Sequence, residues 1–564
     1  MEHMDNEAQG FIQTQLQGSL SRRTLVKRAA VAGLAVPTVG ALVAACGSDD
    51  ETTTTEPAST DAVTETTAGS TESSVTETTG APMAGGTFRL ATSKPGSPLD
   101  PIAMIDLGTY NVIAQSFEYL TGPEGSGIGP MLATEWTPNA DSTVWTFKLR
   151  EGVTWHDGSP FTAEDVVQTM EKIVVAGDSI GGAIQAGSAV AIDDLTVEIT
   201  LTGPNASFPY LVSMFNPQAA ILPAAWEPGT TLDASPTGTG PWKLDSYDPN
   251  TGATFVRNEA WWGGMTPLDS IELQFFVDTS AQVTAMSGDS VDGIQSFAVV
   301  GGDALLEKDG FVVAEVQAAT HREIWFGCDE GNFTDARVRQ ALALTLDRPA
   351  IVEALFKGKA SVANDHVIFD LYEFHDPAAV AQRERDIDAA KALLAEAGFE
   401  NGLSSTINAV DLGEVSQLAQ LMQIQAAEAG FDLDINVEST DTFYGTQWCI
   451  TYPCAGSAEL GIVDYGHRPT PDVYLVKALK GGGDWNSSQY ASADLDAAIL
   501  EYQSSGELEP RTAACAKIQT ILWNDVPVCI PYRYNGLAGY SAAFDGVEFT
   551  ALGHTLLAKA SKVA

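Results

Sequence analysis

Positive charge is what this chain most conspicuously lacks. It carries 29 lysines and arginines against 74 aspartates and glutamates, a net charge of −45. So acidic a surface repels nucleic acid and anionic bilayers and excludes both as partners. It does not designate a cationic ligand, because acidic surfaces mostly serve solubility. Cysteine is also scarce, six in 564 residues, with no CxxC and no paired Cys/His set, so no structural metal and no cofactor are expected. There is no HExxH and no Cys/His couple in a nucleophile context, and the one G-x-S-x-G, Gly177-Asp-Ser-Ile-Gly181, follows a helix pattern rather than the strand that a nucleophile elbow requires. Only paired carboxylates remain open to hydrolytic chemistry, and an enzyme is not the expectation. Beyond residue 46 no apolar run reaches the ~20 residues of a membrane span. No repeat of fixed period runs through the text.

What is present begins with an address. Ser21-Arg22-Arg23-Thr24-Leu25-Val26-Lys27 fits a twin-arginine export signal. Ala29 to Ala45 is a short apolar run weakened by glycine and proline. It ends in Val43-Ala44-Ala45-Cys46, which resembles a bacterial lipobox. Residues 1–45 are therefore read as a signal peptide, with Cys46 lipidated and the mature chain anchored outside the cytoplasmic membrane. Residues 46–84, rich in Thr, Ser and acids, cannot bury enough apolar surface to offset ordering and read as a disordered tether. About 480 residues remain, too many for one ordinary core, so at least two lobes are expected.

The most telling run is Trp145-Thr-Phe-Lys-Leu-Arg-Glu-Gly-Val-Thr-Trp-His-Asp-Gly-Ser-Pro-Phe-Thr-Ala-Glu-Asp-Val-Val167. Trp145, Phe147 and Leu149 alternate with polar residues, the period of a half-buried strand. His156 to Pro160 is turn chemistry. Thr162 with Asp165 caps a helix carrying Val166, Val167 and Met170. Four further runs follow in order. They are Pro236–Leu244 with Val256–Trp262; Phe333–Leu342 through Arg348; Ala389–Phe399; and Asn486–Asp496 with Ile518-Gln519 and Asp525-Val-Pro527. Gly238 and Gly240 permit a tight turn into a strand. Asp335 or Thr334 caps a helix, and Gly398 ends one in the left-handed conformation.

Together these runs closely resemble the family 5 extracellular solute-binding proteins, the receptors that feed ABC importers. The resemblance implies an α/β, two-lobed periplasmic-binding-protein fold (type II, cluster C-like) with an extra subdomain in lobe I and a hinged ligand cleft. On that pattern residues 85–122, 225–300 and 532–564 form the core of lobe I, 123–224 its inserted subdomain, and 301–531 lobe II. It further implies a monomer that binds a short peptide or related small solute and docks on ABC permease subunits. Nickel chelates, oligosaccharides and other amines are the alternative cargoes; a secreted hydrolase and a signalling receptor are the alternative classes.

In peptide-binding relatives a lobe II carboxylate pairs with the peptide ammonium, within Trp-x-x-Asp followed by Tyr and a Pro-containing turn. Gly461-Ile-Val-Asp-Tyr-Gly-His-Arg-Pro-Thr-Pro-Asp472 matches that stretch. Asp464 falls on the acid and Tyr465 follows it, but Gly461 stands in place of Trp. Arg468 is the internal cation available to neutralise Asp464. His467 falls where nickel-binding relatives use a histidine. Tyr444 and Trp448 upstream, and Trp485 with Asn486 downstream, complete the candidate ligand-binding set. In an oxidising space two disulfides are open, Cys449 with Cys454 and Cys515 with Cys529, leaving Cys328 as a buried small hydrophobe.

Overall fold

The signature run folds as its alternation dictates. Trp145, Phe147 and Leu149 are buried on one face of the strand Val144–Leu149. The Thr162 amide donates to the Asp165 carboxylate at 2.8 Å, opening the helix Ala163–Ala176. The turn between them docks on the second run: the His156 amide donates to the Gly238 carbonyl (2.8 Å), and its ring Nε2 meets the Gly240 carbonyl at 3.0 Å. A Cβ on Gly238 would lie 1.9 Å from the Ser116 carbonyl oxygen, so only glycine fits there.

The computed structural model describes residues 82–125, 127–176, 180, 182–448 and 458–564. Arg22, Arg23, Cys46, Cys449 and Cys454 lie outside them. The expected tether runs too far: Pro82–Met83 already forms a strand against Ser561–Val563.

Two seven-stranded sheets organise the two lobes. In the first, Phe311–Val316, Gly536–Ser541, Gly293–Phe297, Thr87–Ser93, Ser270–Phe276, Gly252–Arg257 and Trp242–Asp248 lie side by side in that order. In the second the order is Ala360–Val362, Tyr532–Tyr534, His321–Phe326, Leu460–Tyr465, Leu403–Val410 and Phe431–Glu438, with Val528–Cys529 also paired to His321–Phe326. A separate four-stranded antiparallel sheet spans Ala133–Pro138 to Thr196–Thr200. Phe311–Val316 lies in the first sheet and Tyr532–Tyr534 in the second. The chain therefore crosses at 317–320 and at 535, later than the expected boundaries at 301 and 532. The crossings run together, with the Tyr534 amide on the Thr320 carbonyl (2.8 Å) and Asn535 on Glu315 (2.7 Å).

Each lobe has its own core. Trp325, Leu342, Ile407, Leu418 and Ile518 are fully buried in the second; Phe88, Phe117, Phe147 and Trp242 in the first. Each such side chain contributes roughly 1.5–3 kcal/mol of burial. Cys515 and Cys529 are free thiols rather than a disulfide. Cys529 lies 3.6 Å from the Arg348 guanidinium, so its sulfur is taken up by a buried ionic cluster instead. Cys328 is also free and half-buried.

Candidate functional site

Antiparallel pairing of His321–Phe326 with Leu460–Tyr465 puts Arg322 opposite Asp464. Asp464 Oδ1 accepts from the Tyr444 hydroxyl at 2.7 Å, and its Oδ2 lies 3.9 Å from Arg322 Nη1. Arg322 is buried, and its main partner is Glu414, at 2.9 Å; it also donates to the Tyr534 hydroxyl at 2.8 Å. Burial lowers its pKa, but the neighbouring Tyr534, Glu414, Tyr532 and Asp464 outweigh that and raise it. Arg322 thus takes the place that the sequence offered to Arg468. Asp464 keeps 26% of its side chain exposed, the only acid of this group that does.

The same register explains Gly461. It pairs with Trp325, whose ring atoms lie 2.2–2.3 Å from where a Cβ at 461 would stand. The Trp325 indole fills that space, fully buried in the core of the second lobe and anchored by Nε1–H on the Ala458 carbonyl (2.7 Å). Trp325 and Arg322 sit in His321-Arg-Glu-Ile-Trp-Phe326, a strand that carries no local motif. Only the strand pairing reveals their role.

The remaining aromatic candidates come together. Tyr444 meets Trp448 at 5.3 Å between ring centroids, Trp448 meets Trp485 at 6.3 Å, and Trp485 meets Tyr465 at 6.2 Å. Tyr465 in turn stacks on His321 (5.5 Å, 26°). Tyr465 and His321 are buried, whereas Tyr444, Trp448 and Trp485 are half-buried. Burial pushes His321 down to about 4 and the nearby Glu323 carboxyl up to about 8, so both are neutral at pH 7. Asn486 stands apart: its amide serves a turn, donating to the Lys480 and Tyr490 carbonyls at 3.1 and 2.8 Å.

After Tyr465 the chain leaves the sheet, and His467 reaches the junction of the lobes. Its ring lies 5.4 Å from that of Phe215, and its Nδ1 accepts from the Ala319 amide at 3.0 Å. Burial, with the Arg468 charge beside it, holds its pKa at about 3. A cavity of about 270 Å3 opens there, lined by Phe215, Val316, Leu371, His467, Phe549 and Thr550 among others. A larger groove of about 550 Å3 lies between the helices Ala493–Ser504 and Leu508–Asp525. Its lining is mostly exposed and includes none of the sequence candidates, so the interlobe cavity is the relevant one.

Comparison with known proteins agrees with this architecture. Residues 127–485 match the family described as bacterial extracellular solute-binding proteins, family 5 Middle. Heme-binding protein A of Haemophilus influenzae is 26% identical over 510 residues, 83% of this chain and 91% of that protein. The glutathione-binding protein GsiB of Escherichia coli K12 is 25% identical, covering 76% and 85% respectively. Among solved structures, the ABC transporter substrate-binding protein CtaP of Listeria monocytogenes superposes with a TM-score of 0.75. It is 21% identical and covers 85% of this chain and all of that one.

Proposed function

Because the chain belongs to the family 5 bacterial extracellular solute-binding proteins, we propose that it captures a short peptide, or a related solute with a free ammonium, through Asp464. The family's members are binding proteins of ABC importers, not enzymes, and act outside the cytoplasm. The observation that carries the cargo reading is a charge count at the end of one strand pair. Arg322 is already balanced by Glu414 at 2.9 Å, which leaves Asp464, at 3.9 Å and part-exposed, as a surplus negative charge. The Tyr444 hydroxyl occupies one of its oxygens and orients the carboxylate without neutralising it. A carboxylate so held offers an ammonium a charge-assisted hydrogen bond. The half-buried rings of Tyr444, Trp448 and Trp485 beside it suit apolar portions of a varied solute. In this reading Cys46 carries a lipid that keeps the receptor at the membrane beside its permease.

A nickel-chelate cargo held by His467 fits less well. A histidine that ligates through Nε2 ordinarily donates its Nδ1 proton to an acceptor, whereas here Nδ1 accepts from an amide. Binding a metal at Nε2 would strip the ring of its one remaining proton.

The test is Asp464→Asn, which removes the charge and keeps the shape. Affinity for a mixture of short peptides, read by calorimetry or native mass spectrometry, falls about tenfold or more if the pairing contributes at least ~1.4 kcal/mol. Unchanged affinity takes Asp464 out of the site.

A further inference from the structure

Ala319, on one of the two crossings between the lobes, is gripped at both its backbone groups by imidazoles. Its amide donates to His467 Nδ1 at 3.0 Å, and its carbonyl meets His321 Nδ1 at 2.8 Å. An Nδ1 that accepts leaves the proton of the neutral His467 ring on Nε2. Among the described residues that Nε2 has no partner, although the side chain is only 4% exposed. A buried N–H without an acceptor is costly, so the position calls for an acceptor that the protein does not supply.

The same side chain lines the cavity of about 270 Å3, whose walls come from both lobes and from the crossing. Phe549 and Thr550 belong to the first lobe and Phe215 to its inserted subdomain. Val316 ends the strand that leaves the first sheet, and Leu371 and His467 belong to the second lobe. The volume exceeds the ~150 Å3 that suffices to hold benzene. No lysine, arginine, aspartate or glutamate lines it, so an ion entering would shed its water without gaining a counter-charge. Of the polar side chains in the wall, the Thr550 hydroxyl accepts from the His554 amide at 3.1 Å and Gln317 is exposed. His467 presents the buried donor without a partner. Tyr444, Trp448, Asp464 and Trp485 are not among the lining residues, so the cavity lies beside the proposed solute site rather than within it.

A cavity at the pivot, mostly apolar walls, no charge and one unmet donor describe a site for a small neutral molecule. We propose that it is an effector site. It takes an uncharged molecule with an apolar body and a single hydrogen-bond acceptor aimed at His467, and its filling holds the lobes at their present angle. Such a ligand touches both lobes at once, and the imidazole that binds it is fastened to the crossing through Ala319. Those contacts are lost when the lobes part, so the ligand favours the present arrangement by the difference. Solute and effector then strengthen each other's binding. The inference goes beyond the solute reading and rests on it only for lobe opening being the step that frees the solute.

The experiment offers three probes of similar size to the full-length receptor. They are acetophenone; α-methylstyrene, in which a methylene replaces the carbonyl oxygen; and benzoate, which is charged. Ligand-observed NMR reads affinity, and fluorescence transfer between dyes on the two lobes reads their separation. Acetophenone is expected to bind on the order of tenfold more tightly than α-methylstyrene, and benzoate more weakly than either. Saturating acetophenone is expected to raise the ratio of closed to open receptor about fivefold or more. His467→Phe erases the difference between the first two probes. Ala551→Leu, which fills the cavity from the first lobe, abolishes binding of both. Equal affinity of the first two probes in the parent, preference for benzoate, or binding that survives Ala551→Leu overturns the site. Unchanged lobe separation on binding overturns its role as an effector site. Thermal melting shows whether each variant folds, and where one does not, the parent's ranking of the three probes decides. None of these readouts passes through Asp464, so failure of the parent to capture peptides sinks the peptide reading without touching this one.

Discussion

Glu323 shows how much a single buried group governs behaviour. It is 2% exposed, its Oε2 has no partner, and burial alone lifts its carboxyl to about 8. In the unfolded chain the same acid titrates near the ordinary 4.5. Between those two values the folded state holds a proton that the unfolded state has lost, so stability falls as pH rises from about 4.5 to about 8. Glu323→Gln removes that slope. The variant is expected to exceed the parent in stability by on the order of 1–3 kcal/mol at pH 8, with the gap closing toward pH 4.5. Denaturant unfolding at the two pH values checks this; a constant gap would show that Glu323 is ionised in the fold. Residues of this kind were illegible beforehand, since nothing about Glu323 in sequence separates it from 73 other acids. His467 was legible as a candidate by position, yet its tautomer, which decides between metal ligand and donor, depends on Ala319, 148 residues away. The glycine and cap residues were readable because their reasons are local. Gly398 adopts φ +92° with Phe399 folded back, its amide on the Leu394 carbonyl, and Asp335 caps Ala336–Thr345.

At the scale of elements the informative unit is the strand pair His321–Phe326 and Leu460–Tyr465. Periodicity and turn chemistry can place both strands but not their register, and the register decides which residues meet. It sets Arg322 against Asp464 and Trp325 against Gly461. The second pairing is a strict complement, a large ring on one strand and no side chain on the other. Gly461→Ala forces its new methyl against the Trp325 ring at 2.2 Å and is expected to destabilise by roughly 1–3 kcal/mol, as overpacking does. Trp325→Ala costs about 3–5 kcal/mol on its own. In the double variant the clash vanishes, so the two losses combine to less than their sum, a coupling that a double-mutant cycle measures. Strict additivity would mean that the two positions do not oppose each other. The same register accounts for the glycine at 461: the buried Trp325 ring fills the space that a side chain there would need.

The molecule as a whole is joined not only at its two crossings but through a contact made by the segment that carries Phe215. The Ser207 hydroxyl accepts from Arg511 Nη2 at 2.7 Å, and the Ala206 amide donates to the Gln503 carbonyl at 3.2 Å. Arg511 is buried, its guanidinium over the rings of Phe374 (4.7 Å) and Tyr502 (4.4 Å). Tyr502 donates to Asp472 at 2.8 Å, at the far end of the loop that begins with Gly466 and holds His467 and Arg468. The contact between the lobes and the loop that lines the interlobe cavity are therefore one connected structure, and an opening of the cleft along this surface breaks the Ser207–Arg511 bond. A hydrogen bond to a charged donor is worth about 1.5–3 kcal/mol. Ser207→Ala removes it without touching any cleft residue, so the closed form loses stability relative to the open one. Solute release, followed by stopped flow, is expected to quicken by on the order of tenfold while the association rate barely moves. If release keeps its parental rate, the Ser207 contact persists in the open receptor, and the lobes separate along a different surface, one that leaves Arg511 with Ser207.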